Sequence, residues 1–130
     1  MSVLDMPLKA KWYNMIESGE KPEEYRDIKP YWMKRLLVGV RPWYQQGVDD
    51  YCASYYCVNT GLLTDRLSKG LFRVKYSHIR FRYGYTKRTM LYALDGIRIG
   101  RGKPEWGAPE DKDVFILKLG NKYESRRITD

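Results

Sequence analysis

Three ionisable side chains, Lys21, Glu24 and Arg26, lie close together near the start of the sequence. Glu24 and Arg26 are two residues apart, so on a β-strand they share a face and can form an ion pair. In a binding site, Arg26 would present a planar fork of donors to a phosphate or to a base edge. Glu24 would accept a hydrogen bond from an exocyclic amine or act as a general base. An ion pair that only orients the strand is the alternative, and strand parity does not predict the direction of Lys21, which precedes Pro22.

Basic and apolar side chains alternate over residues 78–83. Because successive side chains of a strand point to opposite faces, the apolar members are predicted to face a core. The other face then carries His78, Arg80 and Arg82. Like charges two residues apart repel one another unless water or an anion lies between them, so this face is predicted to be either solvated or phosphate-binding.

The net charge of +8 is concentrated in residues 66–103. That stretch carries 11 basic side chains and one acidic side chain, Asp95, whereas the segments before and after it each have a net charge of −1. A concentrated positive field with interleaved aromatic residues is typical of nucleic-acid-binding surfaces. The adjacent Lys87 and Arg88 extend the set of candidate phosphate contacts.

Composition excludes some kinds of site. Two cysteines and one histidine provide three ligands, so a structural zinc site built only from these residue types is excluded. We predict no metal and no cofactor, and we predict that Cys52 and Cys57 are free, buried thiols. Acid/base catalysis usually pairs two titrating groups, so phosphate contact or solvation is predicted for His78. Trp106, in a loop rich in Gly and Pro, is expected to stack on a base or to anchor the loop.

The elements that position these residues follow from hydrophobic spacing and turn residues. In the first predicted helix, Trp12, Met15 and Ile16 are expected to form the buried stripe. Strands are predicted at residues 3–9, 21–28, 78–83, 89–99 and 114–119, and helices at residues 11–18, 30–39 and 62–68.

This order predicts an α+β fold, with a small twisted sheet or barrel and two helices packed on one side. The length of 130 residues predicts a single domain over residues 1–130. No apolar run approaches the roughly 20 residues needed to cross a bilayer. The first residues also lack the pattern of a secretion signal, so we expect a cytoplasmic protein that does not contact membranes.

Residues 19–26 also fit a family signature. They read Gly-Glu-Lys-Pro-Glu-Glu-Tyr-Arg, which matches G-x-K-x-x-E-x-R, and in this the chain resembles the ASCH domain family of the PUA-like superfamily. The resemblance covers about residues 3–38 and 76–120, and residues 40–70 are a possible insertion. Segments similar to the later strands and loop of bacterial and phage members lie at residues 79–85, 96–100 and 104–109.

The resemblance implies a PUA-like small β-barrel with two helices in the N-terminal half packed beside a cleft. It also implies that the motif lines this cleft, that Lys9 lies at it, and that RNA or a nucleotide-like ligand binds there. Together with the charge pattern, it predicts ligand contacts by Lys9, Lys21, Glu24, Arg26, Arg80, Arg82 and Trp106.

Some family members are similar to amidohydrolases that act on acylated cytidine nucleosides, and ribonuclease activity is also attributed to the family. The amidohydrolase-type members have a threonine three residues after the motif lysine, where this chain has Glu24, so the same nucleophilic route is not available. The alternative function is a small hydrolase in which Glu24 activates water and Lys21 stabilises the oxyanion. A domain whose basic face binds an acidic protein is a third hypothesis.

Overall fold

A computed structural model shows an α+β protein built around a strongly curled five-stranded sheet that forms a half-barrel. The structure describes residues 1–40 and 45–126, with side chains up to residue 123. The helices are α1 (Ala10–Glu17), α2 (Pro30–Leu36), α3 (Asp50–Cys57) and α4 (Thr60–Ser68), and a 3₁₀ turn covers Pro104–Trp106. The strands are β1 (Val3–Leu8), β2 (Glu23–Arg26), β3 (Leu37–Val40), β4 (Gln45–Gly47), β5 (Phe72–Val74), β6 (His78–Tyr83), β7 (Thr89–Gly100) and β8 (Val114–Arg126).

The five-stranded sheet has the order β1-β6-β7-β8-β2. The strands β1 and β6 are parallel, and the other neighbours are antiparallel. Register shifts between β7 and β8 interrupt their long ladder, and such irregularities increase the local twist of a sheet. These features confirm the predicted α+β class and the predicted twisted sheet.

The two faces of this sheet differ in what covers them. The core face packs against α1, α2, α3 and α4, and it carries the fully buried Ile79 and Phe81 of β6. The outer face carries the residues that alternate with them, among them Arg80 and Arg82. The strand over residues 78–83 and its alternation were therefore predicted correctly from the sequence.

Helix α1 buries a different stripe from the predicted one. Tyr13 and Ile16 are buried, whereas Trp12 and Met15 are only half-buried. The physical reason is that Tyr13 packs edge-on against Tyr83 of the sheet, with ring centroids 5.3 Å apart. Trp12 is thereby directed sideways, away from the centre of the core.

Helix α2 is shorter than predicted. It ends at Leu36, because Leu37 adopts an extended backbone and pairs with Val74 of β5 instead of continuing the helix to residue 39. Strand β8 is longer than predicted, since its pairing with β7 continues to Arg126 opposite Thr89.

The sequence did not predict the structure of most of residues 45–70. They form β4, α3 and α4, and β4 joins β3 and β5 in a second sheet of order β4-β3-β5. Ala53 and Leu63 are fully buried in the same core cluster as Phe81, so these helices complete the main core. Cys52 and Cys57 form no disulfide with each other, as predicted, but they are half-buried rather than buried. Within the described residues, no helix has the length and apolar character that a membrane span requires.

Candidate functional site

The structure brings Lys21, Glu24 and Arg26 together around a single carboxylate oxygen. Glu24 Oε1 lies 3.0 Å from Lys21 Nζ and 3.5 Å from Arg26 Nη1. The same oxygen accepts a hydrogen bond of 2.8 Å from the backbone N–H of Tyr25. We call Lys21, Glu24 and Arg26 the ionic cluster.

The backbone around β2 explains how the ionic cluster forms. Gly19 has a φ of 86°, which a glycine adopts without strain, and the chain turns back so that the N–H of Lys21 donates to Met15 O. In the pairing of β2 with β8, Glu24 lies opposite Leu117 and Arg26 opposite Phe115. Because directly paired residues share a face of the sheet, Glu24 and Arg26 project from the core face.

Most of the ionic cluster is enclosed. Lys21 is 1% exposed and Glu24 is 4% exposed. The Lys21 ammonium lies 4.6 Å from the ring centroid of Trp12 and 5.4 Å from that of Tyr25. Burial lowers the pKa of Lys21 from its ordinary value, and the neighbouring Glu24 only partly opposes this effect. Lys21 and Glu24 therefore lie beneath aromatic rings rather than in an open cleft.

The second oxygen of the Glu24 carboxylate, Oε2, is buried and has no hydrogen-bond partner within residues 1–40 and 45–123. A buried acceptor without a donor costs free energy, of order 1–3 kcal/mol, so such atoms call for an explanation. A donor group on a bound ligand would satisfy this oxygen.

Arg26 connects the enclosed ionic cluster to an open cavity of about 300 Å³. Its guanidinium lies 5.1 Å from the ring centroid of Trp32, and its Nη1 donates a 2.6 Å hydrogen bond to Tyr25 O. Desolvation lowers the pKa of Arg26, although Glu24 and Asp27 oppose this effect. The cavity is lined by Tyr25, Arg26, Asp27, Trp32, Gly107, Pro109 and Val114.

The loop between β7 and β8 forms the other wall of this cavity. The backbone N–H of Lys103 donates to Tyr25 Oη at 3.1 Å, and burial raises the pKa of that phenol. Trp106 packs half-exposed against the small apolar cluster around Tyr25, and the Lys103 ammonium lies 4.3 Å from the ring centroid of Trp106. Trp106 therefore anchors the loop, and part of its indole faces solvent.

The remaining predicted ligand contacts lie elsewhere. Lys9 is exposed and precedes the first residue of α1. Arg80 and Arg82 project from the outer face of the sheet, because their direct partners on β7 are Leu91 and Thr89, which are buried but lie outside the main core cluster. A single small ligand at the ionic cluster therefore does not reach Arg80 and Arg82.

Sequence reasoning missed three aromatic residues of this site, Trp12, Tyr25 and Trp32. The available signal was their position, since Tyr25 lies inside the motif and the tryptophans lie in the two helices that flank it. As for metals, the described part of the chain contains no group of three or more His, Cys, Asp or Glu side chains placed to hold an ion.

Comparison of the chain with protein-family models, with curated proteins and with solved structures gave no match. The resemblance to the ASCH family therefore stays a prediction from the motif. The assignment of a function depends on the geometry described above.

Proposed function

We propose that this protein binds a nucleotide unit of RNA, or a nucleotide-like ligand, in the cavity beside Arg26. The observation that carries the proposal is the buried Glu24 carboxylate, which has one oxygen close to two cations and the other without a donor in the described part of the chain. Burying an ionised carboxylate is costly unless it is fully hydrogen-bonded, so the arrangement fits a site completed by a ligand.

Each wall of the cavity offers a contact that suits a nucleotide. Trp32 provides an aromatic surface on which a base can stack. Arg26 lines the cavity and touches Glu24, so its remaining N–H groups can reach a phosphate or a base edge. A ligand amine that enters past Arg26 would donate to Glu24 Oε2. The volume of about 300 Å³ lies at the lower end of the range for ligand pockets.

Two further observations support a polyanionic ligand. The chain has a net charge of +8, which favours association with nucleic acid. The motif at residues 19–26 resembles that of the ASCH family, in which a PUA-like barrel binds RNA or nucleotides. The curled half-barrel agrees with such a barrel in its general form.

The proposal is tested by titrating nucleoside monophosphates and short RNA oligonucleotides while tryptophan fluorescence is recorded. Trp32 lines the cavity, Trp12 packs on Lys21 and Trp106 packs on the cluster around Tyr25, so a bound base is expected to change the emission. Arg26→Ala is expected to weaken binding of a preferred nucleotide by about 1–3 kcal/mol. Arg26→Lys keeps the charge but loses the planar fork, so it should recover little of the affinity.

Arg98→Ala is the matched control, because it removes an exposed arginine whose ion pair with Glu23 is 3.7 Å long, the only one that the described residues give it. Arg98→Ala should bind the mononucleotide as the unmodified protein does. Binding that is absent for every nucleotide, or equal in the Arg26 and Arg98 variants, would contradict the proposal.

The second candidate function is the hydrolase, and the Glu24 oxygen that has no donor among the described residues also favours it. Glu24 Oε2 would take a proton from a water molecule that attacks an acyl carbonyl, and would return it to the cytidine amine as the carbon–nitrogen bond breaks. The Lys21 ammonium, 3.0 Å from Oε1, would stabilise the oxyanion. This function requires turnover of an acylated cytidine or of an RNA oligonucleotide, lost in Glu24→Gln. Nucleotide binding without turnover would leave only the binding function.

A further inference from the structure

The outer face of the sheet carries a second candidate binding surface, at a distance from the cavity. Its cations are Arg80 and Arg82 of β6 and Lys87 of the turn between β6 and β7, and its aromatic residues are Tyr85 and Tyr123. We call these five residues the outer surface. From this juxtaposition we infer that the outer surface binds the sugar-phosphate backbone and bases of a single-stranded RNA outside the cavity.

The aromatic residues are the first argument. Tyr85 is 95% exposed and Tyr123 is 59% exposed. The Tyr123 ring packs edge-on against His78 at the start of β6, with centroids 4.9 Å apart, and Tyr85 lies in the turn that follows the end of the strand. Single-strand-binding proteins use exposed aromatic rings of this kind as platforms for successive bases.

The cations between the two aromatic residues are the second argument. The Arg82 side chain donates a 3.0 Å hydrogen bond from Nη1 to Thr86 O, which holds the guanidinium against the turn. Arg80 faces Asp5 of β1 at 4.0 Å, the outer limit for an ion pair, and both side chains are partly exposed. The strand residues opposite these arginines, Leu91 and Thr89, are uncharged.

The outer surface carries three basic side chains, and one exposed aromatic residue lies at each end of it. From His78 to Tyr83 the strand spans roughly 17 Å at about 3.3 Å per residue, which suits an extended strand of nucleic acid.

This inference rests on the proposed function in one respect, namely that the ligand is RNA. The difference is that the cavity would hold one nucleotide, whereas the outer surface would hold neighbouring nucleotides of the same or another strand. Arg26 projects from the core face, whereas Arg80 and Arg82 project from the outer face, so variants of the cavity and of the outer surface can be tested separately.

The first experiment measures the binding of a single-stranded RNA of about 12 nucleotides, within the usual range of site sizes, as a function of salt concentration. Arg80→Gln/Arg82→Gln removes two charges but keeps much of the side-chain stems. If each arginine contacts one phosphate, affinity at low salt falls about tenfold, and the slope of log K against log salt shrinks by roughly 1.4.

Arg66→Gln/Lys69→Gln is the matched control, because it removes two cations at the C-terminal end of α4 that pair with Asp65. The control should leave the slope unchanged. A slope that is unchanged in the Arg80/Arg82 variant, or reduced equally in the control, would overturn the inference.

The second experiment separates stacking from charge. Tyr85→Ala and Tyr123→Ala are each expected to weaken RNA binding about tenfold without changing the salt slope, because stacking releases no counterions. Tyr55→Ala, which removes an exposed ring from α3, is the control and should bind RNA normally. Full affinity in both Tyr85→Ala and Tyr123→Ala would remove the aromatic part of the inference.

Mononucleotide binding distinguishes failure of this inference from failure of the proposed function. Variants of the outer surface should bind a mononucleotide normally, whereas Arg26→Ala should not. If Arg26→Ala has no effect on binding but Arg80→Gln/Arg82→Gln still reduces the salt slope, the outer surface binds RNA and the proposed function of the cavity is wrong. If only Arg26→Ala weakens binding, the inference about the outer surface is wrong.

Discussion

At the scale of single residues, Glu24 holds the ionic cluster together. Its Oε1 receives the Lys21 ammonium and the N–H of Tyr25, and Arg26 lies 3.5 Å away. Without this carboxylate, the buried Lys21 ammonium and the largely buried Arg26 guanidinium would lose their main counter-charge, and only the smaller effects of Glu23 and Asp27 would remain. Removing one partner of a buried ion pair is much more costly than removing an exposed one.

We expect Glu24→Gln to lower the free energy of unfolding by about 3 kcal/mol, measured by urea denaturation. Glu20→Gln is the matched control on a nearby glutamate. Glu20 is exposed, so the change should be below about 0.5 kcal/mol.

The double variant Lys21→Met/Glu24→Gln tests the electrostatic explanation. Removing the unpaired ammonium should restore part of the stability that Glu24→Gln loses, since an apolar replacement needs no counter-charge. A double variant that is less stable than Glu24→Gln would show that the loss comes from packing and not from charge.

At the scale of elements, the loop between β7 and β8 depends on close contact with Tyr25. A Cβ atom added at Gly102 would lie 2.6 Å from the Tyr25 ring and 2.5 Å from the Cβ of Ala108. At Gly107, where φ is 99°, an added Cβ would lie 3.0 Å from the Trp12 ring. Glycine at these two positions allows the loop to pack onto the aromatic residues that enclose the ionic cluster.

Gly102→Ala is expected to lower the free energy of unfolding by about 1–3 kcal/mol, because the loop must move off Tyr25 to relieve the overlap. Gly61→Ala is the control, since no atom lies within 4 Å of the added Cβ in α4. There alanine should raise stability by about 0.5–1 kcal/mol relative to glycine. Equal stability of the two variants in thermal or urea unfolding would contradict the packing argument.

At the scale of the whole molecule, residues 45–70 belong to the same core as the curled sheet. Leu63 of α4 is fully buried in the cluster that contains Phe81 of β6 and Met33 of α2. The resemblance to the ASCH family predicted from the motif does not extend to this part of the chain, but α3 and α4 pack on the core face of the sheet. The described residues should therefore unfold together.

Leu63→Ala should lower the free energy of unfolding of the entire protein by about 2–5 kcal/mol, because it leaves a cavity in the shared core. Tryptophan fluorescence and far-ultraviolet circular dichroism should report one coincident transition. Val58→Ala, at a side chain that is 82% exposed, should change stability by less than about 0.5 kcal/mol. Separate transitions for the two signals would indicate that the region around α3 and α4 folds on its own.

Charge is also distributed differently in the folded molecule than along the sequence. The basic stretch 66–103 obtains acidic partners from outside itself, since Arg88 pairs with Glu17, Arg98 with Glu23 and Arg101 with Asp113. The positive field predicted from the sequence is therefore smaller at those arginines. On the outer face of β6, Asp5 is the acidic residue of the neighbouring strand β1 that approaches the arginines.

The sequence by itself determined those features that depend only on residues close together in the chain. The alternation in residues 78–83 predicted β6 and its two faces, because side-chain direction in a strand follows parity. The spacing of Glu24 and Arg26 predicted that they share a face, and Gly19 predicted the turn before them. These relations hold within a few residues of the chain and need no knowledge of distant partners.

Only the tertiary structure decided which face each strand buries, and which side chains and helices cover that face. Pairing of β2 with β8 directed Glu24 and Arg26 to the core face, while pairing of β6 with β7 left Arg80 and Arg82 on the outer face. Trp12 and Tyr25 then enclosed Lys21, and α3 and α4 completed the core. Contacts between residues far apart in the chain depend on how the whole molecule packs its apolar surface, and no local spacing records that arrangement.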